Sequence, residues 1–269
     1  MFNCDILFAQ LNDLKRDNKR LITNTFIAKA ELEAISRERD SALFYDNNML
    51  GILHSEGEFI RLYYYVRSLD FLGEVVQLCR DASSDLPVLV DIVGKGEAPE
   101  AQAEALTKNG MRAYAHFSRW SCSKVNRLNL DYGDNNCFFP AEEADAEILY
   151  TMLYRGFDAF TSHLPNMAKI QTLIRANSIY VARIDRNIAG LVCMEATGLK
   201  SKYLYQEIID DAFKATGIGF LLLQYAFEQD GEGMTYTSWT DDKNKASNRM
   251  HRFFGFSRDG LRDIVMISK

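Results

Sequence analysis

Two hydrophobic patterns alternate along the second half of this chain: short β-branched runs, and stretches with apolar residues three and four apart. Residues 145–157 (DAEILYTMLYRGF) place Ile148, Leu149, Met152 and Leu153 at helical spacing, and Pro140 with the acids after it suits a helix start. A second helix is predicted over 166–176, after the turn at Leu164-Pro165. Ser178–Ile184 (SIYVARI) and Ile188–Ala196 (IAGLVCMEA) flank the turn Asp185-Arg186-Asn187 and predict a hairpin. Tyr203–Ile209, Met234–Trp239 and Leu261–Ile267 read as further strands, with a short helix over 244–254.

The first half repeats this order more faintly. Met49–Leu53 and Phe59–Val66 predict strands, Phe71–Arg80 a helix, Pro87–Val93 a strand, 98–109 a helix and Met111–Trp120 a strand. Asn109-Gly110-Met111 falls where the second half has Phe254-Gly255-Phe256. The reading is an internal duplication, with an unrelated cap domain as the alternative. The expected fold is α/β of the α+β type, a mixed central sheet flanked by helices in each of two tandem units, 1–126 and 137–269. A polar, turn-rich linker over Asn126–Asn136 (NRLNLDYGDNN) would join them.

Composition narrows the function classes. A chain of 269 residues, 47% hydrophobic and 25% charged, can bury two cores. No apolar run approaches the roughly 20 residues that span a bilayer. The N-terminus puts its acid before a short apolar stretch and its basic residues after it, the reverse of a secretory signal. Cys4, Cys79, Cys122, Cys137 and Cys193 are scattered without a C-x-x-C pair, which predicts reduced thiols and a cytoplasmic protein. His54, His116 and His163 lack metal-site spacing, so no metal is expected. A net charge of −6 argues against nucleic acid as a partner. No membrane partner is expected, and the sequence is compatible with a homodimer.

The chemistry gathers at 209–219, IDDAFKATGIG, where a strand end and a polar turn lead through two glycines into the helix FLLLQYAFEQ. Without a Cβ at Gly217 and Gly219 the backbone can close on a ligand. The first helical turn offers unpaired amides and the positive end of the helix dipole, a site for phosphate or pyrophosphate. NKASNRMHRFFGF follows at 244–256.

That pairing resembles the GNAT acyl-CoA-dependent N-acetyltransferase superfamily, whose core is a strand ending in V-x-P, then Q/R-x-x-G-x-G/A and a helix, then N-x-x-A-x-x-L-Y-x-x-x-G-F. Ile209 takes the Val place and Asp211 the Pro place, while Lys214, Gly217 and Gly219 fill the Q/R, G and G/A places. Asn244, Ser247, Met250, His251, Gly255 and Phe256 fall at the places of N, A, L, Y, G and F, with no gap in either stretch. Lys214 keeps a cationic donor. His251 stands where many members carry the tyrosine that protonates the leaving thiolate.

The resemblance implies acetyl transfer from acetyl-CoA to an amine. Its pyrophosphate would lie on the amides from Thr216 through Gly217, Ile218, Gly219 and Phe220 to Leu221, with Lys214 adding charge. The strand entering the loop would splay from its neighbour, freeing an amide around Ile208 and Ile209, within Glu207–Asp210, to polarise the thioester carbonyl. Asn244 would reach the thioester sulfur region and His251 would serve as acid, two helical turns on. Strand alternation puts Tyr203, Tyr205 and Glu207 on one face, which leaves Glu207 or Glu195 as general base. The implied partners are CoA and a small amine or amino-sugar nucleotide. Two other readings stand beside this one: a non-catalytic CoA-binding module, and tRNA-dependent aminoacyl transfer by a tandem chain.

Overall fold

The computed structural model describes residues 1–17, 20–24, 27–82, 86–127 and 137–268. The elements run α1 (Cys4–Asp17), β1 (Ile22–Thr23), α2 (Lys29–Arg37), β2 (Ala42–Tyr45), β3 (Met49–Ser55), β4 (Ile60–Val66), α3 (Leu72–Ala82), β5 (Val88–Lys95), α4 (Ala98–Lys108) and β6 (Met111–Cys122). They continue with β7 (Phe138–Pro140), α5 (Ala146–Gly156), α6 (Ala159–Ser162), α7 (Met167–Arg175), β8 (Ile179–Ile184), β9 (Asn187–Gly198), β10 (Ser201–Ile209), α8 (Ile218–Glu228), β11 (Thr235–Asp241), α9 (Lys245–Phe253) and β12 (Ser257–Ser268). Two compact units result: Met1–Phe117 with Gly260–Lys269, and Ser118–Asp259.

In the first unit β2, β3 and β4 form an antiparallel meander. β4 then pairs parallel with β5 only at Ile60–Arg61 against Val88–Leu89. One face of this sheet carries Leu62, Tyr64, Val90 and Ile92 against Leu72, Val75, Val76 and Cys79 of α3 and Leu106 of α4. The other face packs Leu50, Ile52 and Tyr63 against Leu7, Leu11 and Leu14, the helically spaced stripe of α1, and Leu32 and Ile35 of α2. Beyond Arg61 the edge of β4 is taken up by the chain's own N-terminal segment. β1 pairs there with Tyr65 and Val66. The buried Asn24 side chain donates from Nδ2 to Leu62 O (2.9 Å) and accepts at Oδ1 from Tyr64 N (2.8 Å).

The second unit repeats the plan. β7 to β10 are antiparallel neighbours, and β10 pairs parallel with β11. α8 covers one face through Leu222, Leu223, Ala226 and Phe227. α5 and α7 cover the other through Leu149, Met152, Leu153, Ile170, Leu173 and Ile174. The predicted elements of both halves are present, and the two units share an order of meander, short parallel pair and two helices.

The last strand differs from expectation. Leu261–Ile267 pairs with Lys95–Leu89 of β5, so the strand expected to close the second half belongs by pairing to the first unit. Residues 118–127, expected in the first unit or the linker, fall in the second unit. Residues 128–136 of the expected linker lie outside the described residues. Among the described residues no helix is long and apolar enough to cross a membrane, and no group of three His, Cys, Asp or Glu side chains is placed to hold a metal ion.

Candidate active site

β10 is held on one side along its length and released on the other. Its antiparallel ladder with β9 runs to Ile209, opposite Gly190. The parallel ladder with β11 covers only Ser201–Leu204 against Thr235–Ser238. Past Leu204 the β11 side of β10 therefore leaves the ladder, the splay expected for the strand entering the loop. Backbone amides there can meet an incoming acyl group instead of a neighbouring strand.

A register shift between Leu204 and Gln206 marks a bulge at Tyr205. It moves Glu207 off the face that Tyr203 and Tyr205 share. Tyr205 and Gln206 both turn toward α5–α7: the Tyr205 hydroxyl donates to His163 O, and Gln206 Nε2 donates to Ser162 O at 3.2 Å. Glu207 then falls on the α8 face with Ile209, opposite Val192, while Ile208 packs toward α5. Room for Ile208 comes from Gly156, where an added Cβ would lie 1.8 Å from its Cδ1.

The loop after β10 is pinned at its start and open at its end. Asp210 N donates to Ala189 O, and its carboxylate accepts from Ala212 N (3.0 Å) and from Arg155 Nη2 (2.8 Å), which hold it below the ordinary aspartate range. The exposed Lys214 ammonium lies 2.5 Å from Asp211 Oδ1. Ala215 and Gly217 both have positive φ, 63° and 85°. A left-handed alanine costs about 1 kcal/mol or more, strain of the kind found at binding loops. Thr216 Oγ1 donates to Phe213 O (2.7 Å) and accepts weakly from Ile218 N (3.4 Å). Nothing lies within 4 Å of the Cβ position at Gly217, so the first turn of α8 faces open space. By helix geometry the amides of Gly219 and Phe220 lack intrahelical acceptors, whereas Leu221 N already donates to Gly217 O, so the first two could hold an anion.

Gly219 is needed for a second reason. A Cβ there would stand 2.9 Å from Ile209 Cγ1 and 3.2 Å from Glu207 Oε1. Glu207 is thus brought against the loop, and burial pushes its carboxyl up to about 8. Glu195 is not brought there: it lies on the α7 face, its carboxylate paired with the Lys169 ammonium.

α9 supplies the remaining expected residues. Asn244 is its N-cap, Oδ1 accepting from Ser247 N at 3.0 Å. Phe220 ties α8 to α9 by stacking on Phe254 with centroids 4.7 Å apart. His251, expected on the face that Asn244 presents, is buried against Trp120 (5.6 Å) and Phe256 (5.1 Å). Its Nδ1 lies 2.8 Å from Ser247 O. A carbonyl only accepts, so Nδ1 carries the proton and Nε2 presents a lone pair. Burial holds the imidazole below its ordinary range, which favours this neutral form.

The bulge at Tyr205, the Arg155–Asp210 clamp and the roles of Gly156 and Ala215 escaped sequence reasoning. Of these, only Ala215, inside the glycine-rich turn, stood where a sequence signal pointed.

Residues 146–256 match the model of the Acetyltransferase (GNAT) family. A GCN5-related N-acetyltransferase from Kribbella flavida is 15% identical, with 89% of this chain and 93% of that chain covered and a TM-score of 0.59. A GCN5-related N-acetyltransferase from Sphaerobacter thermophilus is 12% identical over 97% of this chain and 91% of its own, at 0.62. A tandem GNAT protein from the clavulanic acid biosynthesis pathway is 12% identical over 99% and 95%, at 0.61. At these identities the likeness is one of fold. No curated protein matches the chain in sequence.

Proposed function

We propose that this chain, whose residues 146–256 form a domain of the GNAT acetyltransferase family, is an acetyl-CoA-dependent N-acetyltransferase. It would move an acetyl group directly to a primary amine of a small molecule or amino-sugar nucleotide. The observation that carries this reading is the coincidence of two openings: β10 leaves β11 just before an exposed loop with left-handed Ala215 and Gly217 delivers the bare first turn of α8.

In this reading the amides of Gly217, Gly219 and Phe220, left open where Thr216, Ile218 and Leu221 donate within the chain, hold the pyrophosphate with the Lys214 ammonium, and Asn244 stands at the start of α9. The thioester supplies an activated acyl carbon when bound. Amides at Ile208 and Ile209, on the released side of β10, stabilise charge on the carbonyl oxygen. Glu207, with a value near 8, accepts the amine proton in its ionised form, through water from the opposite face of the sheet. The Nε2 of His251 carries no proton to give, so the departing thiolate takes its proton from water. The edge of β4, filled by β1 and Asn24, offers no equivalent opening, which supports one cofactor site per chain.

A thiol-release assay over amino sugars, amino acids, polyamines and peptide N-termini tests the reading. Acyl-dependent release with at least one class is expected. The buried His251 in the place of tyrosine favours one other reading, a CoA-binding module without catalysis. That reading predicts CoA binding with no release over the whole panel.

A further inference from the structure

The α7 side of the second unit's sheet carries an aromatic platform at the point where β10 and β11 part. Register places Glu195 of β9, Tyr203 of β10 and Thr237 of β11 in one row, pointing to one face. The next row holds Tyr205, on this face by ordinary alternation from Tyr203, and Trp239, the first residue of β11 past its ladder with β10. Trp239 shares the face of Thr237, since Tyr236, Ser238 and Thr240 alternate inward and are buried. The Tyr203 and Tyr205 rings are 5.6 Å apart. All three aromatic residues are half-buried. Glu195 keeps about a third of its side chain in solvent (34%) while paired with Lys169.

The loop and α8 lie on the opposite face, and past Leu204 no ladder joins β10 to β11. A donor held by the loop would present its acyl carbon to whatever rests on the far side. Two π faces and a carboxylate on that side attract a cation. We infer that Tyr203, Tyr205, Trp239 and Glu195 form the acceptor subsite, selecting a primary ammonium carried on a flat or apolar body over its uncharged analogue. The ammonium would compete with Lys169 for Glu195, and the body would rest on Tyr203 and Trp239. This rests on the transferase reading for the word acceptor, and on geometry alone for the binding.

Trp239 is one of only two tryptophans, so its fluorescence reports binding without turnover. Titrating the full chain with 2-phenylethylamine should give a saturable change, lost in Trp239→Phe. Binding should weaken about tenfold for the uncharged 2-phenylethanol, by loss of a charge-assisted contact. Glu195→Gln should weaken the amine by a similar factor while leaving CoA affinity unchanged. No saturable change up to about 10 mM, or equal affinity for amine and alcohol, would overturn the subsite. A normal amine titration in a chain that neither binds CoA nor releases thiol would keep the subsite and remove the transferase reading.

Discussion

At Gly219 the space that a side chain would need is already filled by Ile209 and Glu207. Gly219→Val should therefore push the first turn of α8 away from β10 and weaken CoA roughly 100-fold, with about 1–3 kcal/mol of stability lost to overpacking. Calorimetric titration and a thermal melt separate the two effects; wild-type affinity would take the loop out of the site. Glu207 makes a pH prediction. Burial raises its carboxyl from the ordinary 4.5 to about 8. The folded chain keeps a proton that the unfolded chain releases between those values. Stability tied to this group is complete below 4.5, falls as pH rises, and is gone above about 8. Glu207→Gln should flatten that slope in urea melts from pH 5 to 9 and remove the acid limb near 8 from the rate profile; an unaltered profile would relieve Glu207 of the base role. His251, caged by Trp120 and Phe256, should behave as a core residue: His251→Ala is expected to cost about 2–3 kcal/mol with CoA affinity kept. A variant of normal stability and low kcat would return the imidazole to the chemistry.

Elements were legible where the signal is local. The helical spacing of 145–157, the turn at 185–187 and the glycines before α8 each carry their structure in a few adjacent residues, and the elements form there. Asn244 is such a case, placed by motif and found as the cap of α9. Asn244→Ala should cost about 1 kcal/mol, which Asn244→Asp should restore, read as a shift in melting temperature. What stayed hidden depends on distant partners. Alternation along YLYQEII presumes an unbroken pleat, and the bulge at Tyr205 moved Glu207 to the opposite face from the tyrosines. No pattern within LRDIVMI tells which strand it joins, because a strand's partner is chosen by the whole sheet. The helically spaced Leu7, Leu11 and Leu14 of α1 are in the sequence, yet no element is predicted before Met49. The pairing of β1 and Asn24 with β4 is a contact across about 40 residues and leaves no local trace.

For the whole molecule, the pairing of Leu261–Ile267 with β5 means that the C-terminal strand stabilises the first unit. A chain ending at residue 259 should lose amide protection over 88–95 in hydrogen exchange and keep it over 187–198; loss confined to the second unit would contradict this assignment. A fragment of residues 137–269 would carry that strand with its edge bare and is expected to aggregate. We propose one cofactor site per chain, since among the described residues the second unit leaves the β11 side of β10 unpaired past Leu204, whereas the first unit covers its β4 edge with β1 and Asn24. That claim meets its most direct test in isothermal titration of the full chain with CoA. Saturable heat with one CoA per chain is expected, with affinity about 100-fold weaker in Gly219→Val and unchanged in Glu195→Gln. Absence of binding at about 1 mM ligand, or two CoA per chain, would contradict it.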